Sequence, residues 1–262
     1  MGIITPVIHS ILPQKYRKYR LIPTRDGVSA SVYLLDDCYV LKLFEKETPA
    51  LTIENEILLL SKIDGLPLPK IVDHFILNGA HAIVYTQIRG KSIQEPADEH
   101  IRQIALFLKA FHIQSRHISI KHTERFARSK LKKQIDATGH PKLQHYLPST
   151  ELHLKKEGVI HGDLFPDNCK FVSGRLSGVY DFSDICIGDF HFDLAVIAAS
   201  WCFDKTQPDP KKVEILLDYY GSSIDRVTFY EYIKYALLHY TVQRLVSKRD
   251  CAILLGRLDN LC

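Results

Sequence analysis

One stretch constrains this chain above all others: His161-Gly162-Asp163-Leu164-Phe165-Pro166-Asp167-Asn168, followed by Val179-Tyr180-Asp181-Phe182. An Asn lies five residues after the first Asp, and another Asp closes a short apolar run. The Asp-x-x-x-x-Asn spacing suits a tight loop with both side chains facing one cavity. Residues 175–181 read as a turn and strand that deliver Asp181 to the same place. Any fold adopted here must bring a loop and a separate strand end to a single point.

The rest of the chain divides in two by pattern. Residues 28–35 and 39–44 alternate as strands around an Asp36-Asp37 turn. Residues 51–63 carry apolar positions at Leu51, Ile53, Ile57, Leu58 and Leu60 and read as a helix, which Gly65, Pro67 and Pro69 end. Residues 71–77 and 82–88 read as two more strands about Asn78-Gly79. Beyond Arg89 helices dominate: 101–112, with Ile101, Ile104, Ala105, Leu108 and Phe111 on one stripe, then 193–203, 210–220, 226–245 and 252–261. Residues 120–157 are basic and polar and fit no clear element.

Taken singly, each polar residue of the loop has an ordinary reading. An Asp before a turn caps it, an Asn forms an Asx-turn, and a lone His is structural. The ordered set fits phosphoryl transfer from a nucleotide. One carboxylate, Asp163, would orient an acceptor hydroxyl and take its proton late in a loose transition state. Asn168 and Asp181 supply oxygen ligands of the kind Mg²⁺ prefers. His161 would brace the loop, and Asp167 would cap or extend it. Upstream, Gly27 permits a close turn, and backbone amides with the hydroxyls of Ser29 and Ser31 could face phosphate oxygens. Lys42 is a lone cation in the apolar run Val40-Leu41-Lys42-Leu43. Burying it unpaired is costly, so it either reaches water or has an anionic partner.

The set resembles the catalytic loop and metal-binding Asp of the protein-kinase-like superfamily. More narrowly it is similar to the aminoglycoside phosphotransferase and choline kinase group, whose loop reads His-Gly-Asp-Leu-x-x-x-Asn. The resemblance implies a two-lobed α+β fold, with a small β-rich N-lobe over residues 1–88 and a larger, mainly helical C-lobe over 89–262. It implies ATP and Mg²⁺ as cofactors. It implies that Lys42 meets the phosphates and a helix Glu, for which Glu54 aligns best and Glu56 is the fallback. It places Tyr85, Gln87 and Ile88 at the connector that binds adenine. Asp193 would fix the loop structurally, and Asp189 would lie near the substrate. Residues 159–204 look most like homoserine kinases of the phosphotransferase type, through the loop itself, Leu176-Ser177-Gly178-Val179-Tyr180-Asp181-Phe182 and Trp201-Cys202-Phe203-Asp204. The chain departs from the kinase pattern at Ser183, where Asp-Phe-Gly reads Asp-Phe-Ser.

Composition narrows the rest. A net charge of +4 suits small anionic ligands and calls for neither nucleic acid nor membrane. No apolar run approaches the ~18 residues that span a bilayer. The six cysteines form no Cys-x-x-Cys pair, and the first residues carry no signal-peptide pattern. Buried reduced thiols and a cytoplasmic location are therefore expected. No Ala-Pro-Glu follows Asp181, which favours a small-molecule hydroxyl acceptor over a protein. Homoserine or a related amino alcohol is the leading acceptor; choline, ethanolamine, an aminoglycoside and a sugar remain open. Arg125, Arg128, Lys130, Lys132 and Lys133 read as a solvated helix face. A kinase fold used only for binding is disfavoured, because Lys42, Asp163, Asn168 and Asp181 are all retained. A metal-dependent hydrolase is disfavoured by the lack of ligand spacing around His161. Oligomeric state leaves no mark in the sequence.

Overall fold

The structure, a computed structural model, describes residues 5–24, 30–121, 124–147 and 152–261. Alternating side chains build its first part. Strands β1 (Leu21–Pro23), β2 (Ala30–Leu35), β3 (Tyr39–Phe44), β4 (Ile71–Leu77) and β5 (Ala80–Thr86) form one antiparallel sheet in the order β1-β2-β3-β5-β4. Successive residues of a strand point to opposite faces. Leu41, Leu43, Tyr33, Leu35, Ala82 and Val84 therefore share one face with Ile8 of helix α1 (Thr5–Ile11). Phe44, Ile83 and Tyr85 share the other, which Ile53, Ile57 and Leu60 of helix α2 (Ala50–Lys62) cover. Asn78 and Gly79 join β4 to β5 with φ of 50° and 78°. These are the left-handed values that a two-residue primed turn requires. The tight turn starts β5 at Ala80, two residues earlier than the pattern suggests, and the strand ends at Thr86.

The chain then crosses to the second lobe. Gln87 donates its backbone N–H to Cys38, and Lys91 and Phe171 exchange a pair of backbone hydrogen bonds. Helix α3 (Asp98–Ser115) opens with Asp98 and Glu99, which favour its positive end. Its stripe Ile101, Ile104, Ala105, Leu108 and Phe111 is fully buried. Helices α4 (Arg128–Thr138) and α5 (Leu143–Tyr146) lie in the stretch without clear sequence pattern. Strand β6 (Gly158–Ile160) pairs with β9 (Cys186–Gly188), and β7 (Cys169–Val172) pairs with β8 (Arg175–Val179), all antiparallel. Helix α6 (Phe190–Trp201) is buried on nearly every side, as an almost wholly apolar helix must be. A short hairpin, β10 (Phe203–Asp204) and β11 (Gln207–Pro208), leads to α7 (Pro210–Tyr220), α8 (Arg226–Val246) and α9 (Ala252–Asp259). Asp189, Asp209 and Asp225 cap α6, α7 and α8 by accepting backbone N–H bonds.

The architecture is the two-lobed, protein-kinase-like α+β fold that the sequence implies, with a sheet lobe set against a helical lobe. No helix among the described residues is long and apolar enough to cross a membrane. Cys169, Cys186, Cys202 and Cys251 are buried and unpaired, whereas Cys38 stands exposed in the β2–β3 turn.

The helical core also buries imidazoles. His112, His161 and His239 are each 5% exposed or less. Burial holds all three below the ordinary histidine pKa, and His239, with Arg125 and Lys130 nearby, falls from 6.5 to about 3. Such a group binds a proton in the unfolded chain before it does so in the folded one. Its contribution to stability is complete above pH 6.5 and is lost as pH falls through the window down to about 3. For His239 the cost within that window is roughly 1.4 kcal/mol per pH unit. Thermal unfolding followed from pH 7.5 to 5 should show a falling midpoint, and His239→Phe, which keeps the ring shape, should flatten that slope. An unchanged slope in the variant would exclude His239 as a contributor.

Candidate active site

Parity along β3 decides where Lys42 goes. It lies between Val40 and Phe44, so its side chain emerges on the α2 face. There Nζ meets Glu56 at 3.3 Å, Asp181 at 2.9 Å and the Ser183 hydroxyl at 2.7 Å. The Tyr85 hydroxyl donates to the other oxygen of Glu56 at 2.8 Å. Burial works against the ammonium, but the carboxylates of Glu56 and Asp181 outweigh it and lift the Lys42 pKa above its ordinary value. The cation is therefore held charged inside the protein, as a buried ion needs when its partners are in place.

Glu54 does not make this pair. Its carboxylate points outward to Lys121 at 2.9 Å, and both side chains are mostly exposed. The reason is helical phase. Ile53, Ile57 and Leu60 face the sheet. Position 56 falls inside that stripe, three residues after Ile53, and position 54 falls outside it. The apolar spacing along α2 carries that signal.

The expected nucleotide contacts divide in a similar way. Ser31 pairs with Leu43 in the β2–β3 register. It therefore lies on the α1 face, away from Lys42 and opposite to the placement its hydroxyl needs to join the phosphate contacts. Gly27 and Ser29 lie outside the described residues. The Tyr85 ring is buried on the α2 face and serves Glu56, so its side chain is not a wall for adenine. Gln87 follows in the connector, its backbone held to Cys38. Ile88 packs on Gly178 of β8, where a Cβ would come within 2.5 Å of it, and its carbonyl accepts from Lys170 at 3.3 Å.

The catalytic-type loop leaves β6 at Ile160. A single buried carboxylate, Asp193 of α6, holds its start. Oδ2 accepts the His161 N–H and Oδ1 the Gly162 N–H, both at 2.8 Å, while His112 Nε2 bonds Oδ2 at 3.0 Å. Burial alone would raise the Asp193 pKa; the His112 contact and the backbone bonds bring it below the ordinary range. The His161 ring continues the brace. Its Nε2 donates to the Tyr180 carbonyl at 3.2 Å, and its Nδ1 accepts the Asp163 N–H at 3.2 Å. One neutral tautomer satisfies both bonds. Trp201 Nε1 donates to the Leu164 carbonyl at 2.9 Å, and the Tyr240 hydroxyl donates to the Gly162 carbonyl. Tyr240 sits in mid-helix, where nothing local marks it as a loop partner.

Asp163 and Asn168 meet as the spacing predicts. The Asn168 amide nitrogen donates to the Asp163 carbonyl at 2.7 Å and to its carboxylate at 3.0 Å. With the nitrogen so committed, the Asn168 oxygen is the end a cation could use. Burial, then the charges of Asp184, Asp181 and Asp167, push the Asp163 carboxyl well above the usual carboxylate range. A positive ion here would reverse that push.

Asp181 follows β8 with φ of 65°, a left-handed conformation that strains any residue with a Cβ and recurs at functional sites. Burial would raise its pKa, but Lys42 and the Ser183 hydroxyl hold it at about 2. Lys42 and Ser183 both bond Oδ1, so Oδ2 is the oxygen open to a cation. Ser183, whose hydroxyl bridges Lys42 and Asp181, appears in the sequence only as a departure from glycine. The donor set at this junction consists of carboxylate and amide oxygens beside one ammonium. It fits Mg²⁺, which takes oxygen ligands and shares them with phosphates.

The two glutamates give a direct check. Glu56→Ala leaves a buried ammonium short of its neutralising charge and should cost about 3 kcal/mol. Glu54→Ala removes only an exposed pair and should change stability by less than about 0.5 kcal/mol. Urea unfolding of both variants beside the parent chain measures the difference; equal losses would refute the assignment of Glu56.

Known proteins resemble this chain in sequence and in fold. A homoserine kinase of Sinorhizobium medicae strain WSM419 is 29% identical over 204 aligned residues, covering 69% of this chain and 63% of that protein. One of Methylobacterium radiotolerans is likewise 29% identical, with 68% and 63% covered. The chain thus spans less than two thirds of the length of these curated relatives. Among solved structures, the GDP complex of wild-type aminoglycoside 2'-phosphotransferase-IIIa superposes with a TM-score of 0.69 at 17% identity, over 92% of this chain and 91% of that one. The gentamicin complex of APH(2")-IIa gives 0.69 at 15% identity, over 100% and 96%. These likenesses show the fold. The model of the phosphotransferase enzyme family matches residues 20–230, most of the sequence, and the chain belongs to that family.

Proposed function

We propose that this chain is a small-molecule kinase that transfers the γ-phosphoryl group of ATP, with Mg²⁺, to a hydroxyl of its acceptor. The observation that carries the reading is the convergence of Lys42, Glu56 and Asp181 from two lobes beside the Asp163–Asn168 pair. Those are the parts phosphoryl transfer needs, and positioning and charge supply most of its acceleration. When bound, Mg²⁺ would neutralise and align the phosphates, held by Asn168 and Asp181.

The chain's own side chains do the rest. Lys42 presents a fixed positive charge to the phosphates, and Glu56 with Tyr85 keeps that charge aimed. The Asp163 carboxylate accepts a hydrogen bond from the acceptor hydroxyl and orients its oxygen in line with the phosphoryl group. It takes the proton late, because a carboxylate is a weak base toward an alcohol. The Asn168 amide nitrogen holds Asp163 in place through that step. Asp193, His161, Trp201 and Tyr240 keep the loop backbone from relaxing, so little reorganisation is left for the reaction itself.

For the acceptor, homoserine or a related amino alcohol is the finer reading. It is supported by the homoserine kinases among the relatives and by the resemblance that residues 159–204 carry in their own motifs. The aminoglycoside phosphotransferases are similar in fold at much lower identity, and an aminoglycoside, choline, ethanolamine or sugar acceptor is the alternative. We place the activity in the cytoplasm, where ATP and free thiols coexist.

ADP release from Mg-ATP should be stimulated by one member of a panel of homoserine, choline, ethanolamine, methylthioribose and aminoglycosides. Asp163→Ala should lower that turnover by about a thousandfold or more while Mg-ATP still binds. Asp181→Ala should instead weaken Mg-ATP binding itself. Near-normal turnover in the first variant, or unchanged nucleotide affinity in the second, would contradict the roles given to them.

A further inference from the structure

The nucleotide side of the junction is occupied by Lys42, Asp181 and Ser183. Immediately after Ser183 the chain changes partners. Asp184 turns to Arg125, whose guanidinium Nη1 meets its carboxylate at 2.6 Å. Nη2 of the same guanidinium donates to the Ser183 carbonyl at 3.2 Å. Arg125 precedes α4 and so does not sit on the solvated helix face expected of the basic stretch. Its segment is anchored on both sides. Asn55 of α2 exchanges hydrogen bonds with the backbone of Lys121, and the Phe126 carbonyl accepts from Tyr235. Phe126 itself lies against Gly162 of the catalytic-type loop, as does the Asp184 carbonyl.

The pair is therefore next to Asp163. Yet both members keep about a third of their side-chain surface open, at 33% and 36%. This is an anchored, accessible pair of opposite charges beside the candidate base, and it meets the Lys42 set only at Ser183, through the carbonyl rather than the hydroxyl. A guanidinium recognises a carboxylate in a planar fork. A carboxylate next to it recognises an ammonium. Together they complement a molecule that carries both charges within a few bonds of its hydroxyl.

We infer that Arg125 and Asp184 form the acceptor subsite, and that the acceptor is a zwitterionic amino acid with a side-chain hydroxyl, its carboxylate on Arg125 and its ammonium on Asp184. This rests on the kinase reading above and supplies the selection of substrate that the catalytic loop alone cannot. Choline, ethanolamine and sugars lack the carboxylate and would leave Arg125 with only Asp184 and the Ser183 carbonyl as partners.

Three alcohols of similar length test it: L-homoserine, 3-aminopropan-1-ol, which lacks the carboxylate, and 4-hydroxybutanoate, which lacks the ammonium. ADP release and calorimetric binding in the presence of Mg-AMP-PNP would be measured for the parent chain, Arg125→Gln, Arg125→Lys and Asp184→Asn. Thermal unfolding of each would confirm a folded state. The parent should prefer L-homoserine over either analogue by about tenfold or more in KM. Arg125→Gln should collapse the preference over 3-aminopropan-1-ol, Arg125→Lys should restore part of it, and Asp184→Asn should collapse the preference over 4-hydroxybutanoate. Turnover that ignores the carboxylate, or losses equal for all three alcohols, would overturn the subsite and leave the kinase reading standing. Arg125-dependent binding of L-homoserine without any ADP release would uphold the subsite and overturn the kinase reading.

Discussion

The carboxylate of Asp193 is the point on which the helical lobe and the loop agree. It is fully buried, and it exists there only because two backbone N–H groups and an imidazole surround it. Removing any of them would leave a charge in an apolar core, which is why the loop start, α6 and α3 cannot move independently. His161 passes the same constraint onward, to Asp163 on one side and to the carbonyl before Asp181 on the other. A chain of well-directed bonds thus runs from the centre of the large lobe to the two aspartates.

The small lobe reaches the same point by a different route. Its sheet carries Lys42 on a strand whose other side chains are apolar, so the ammonium is pinned by the register rather than by its own flexibility. Glu56, Tyr85, Asp181 and Ser183 surround it. The two lobes are joined electrostatically where the phosphates would lie. Opening one lobe against the other would separate Lys42 from Asp181 before it disturbed either core.

Much of this was legible in residue order, and the exceptions share a cause. Strands, helices and the Asp163-to-Asn168 loop are local patterns, and local patterns survive in sequence. The Asn78-Gly79 turn was legible for the same reason, although the strand after it began earlier than its apolar run. Glu56 is also legible, through the Ile53, Ile57, Leu60 stripe, although the family motif fits Glu54 as well. The Ser31 hydroxyl suggests a phosphate contact, but its parity relative to Lys42 puts it on the other face of the sheet. Position along the chain puts Tyr85 near the connector, whereas the face it occupies makes Glu56 its partner. Arg125 with Asp184, and Tyr240 with Gly162, could not be read at all. Their partners lie dozens of residues away, and nothing in a solitary Arg or a mid-helix Tyr announces a distant contact.

Gly162 carries a consequence of another kind. Its φ is 76°, and a Cβ there would stand 2.9 Å from the Asp184 carbonyl and 2.9 Å from the Phe126 ring. An arginine between His161 and Asp163 has no room in this chain. Acquiring it would require a different residue at 126 and a new path for the chain at 184 before the arginine itself could be accommodated. No single substitution opens that route, and each intermediate would disturb the site it was meant to extend. Change is thus steered away from the loop and toward partly exposed positions around it, such as residues 125 and 184.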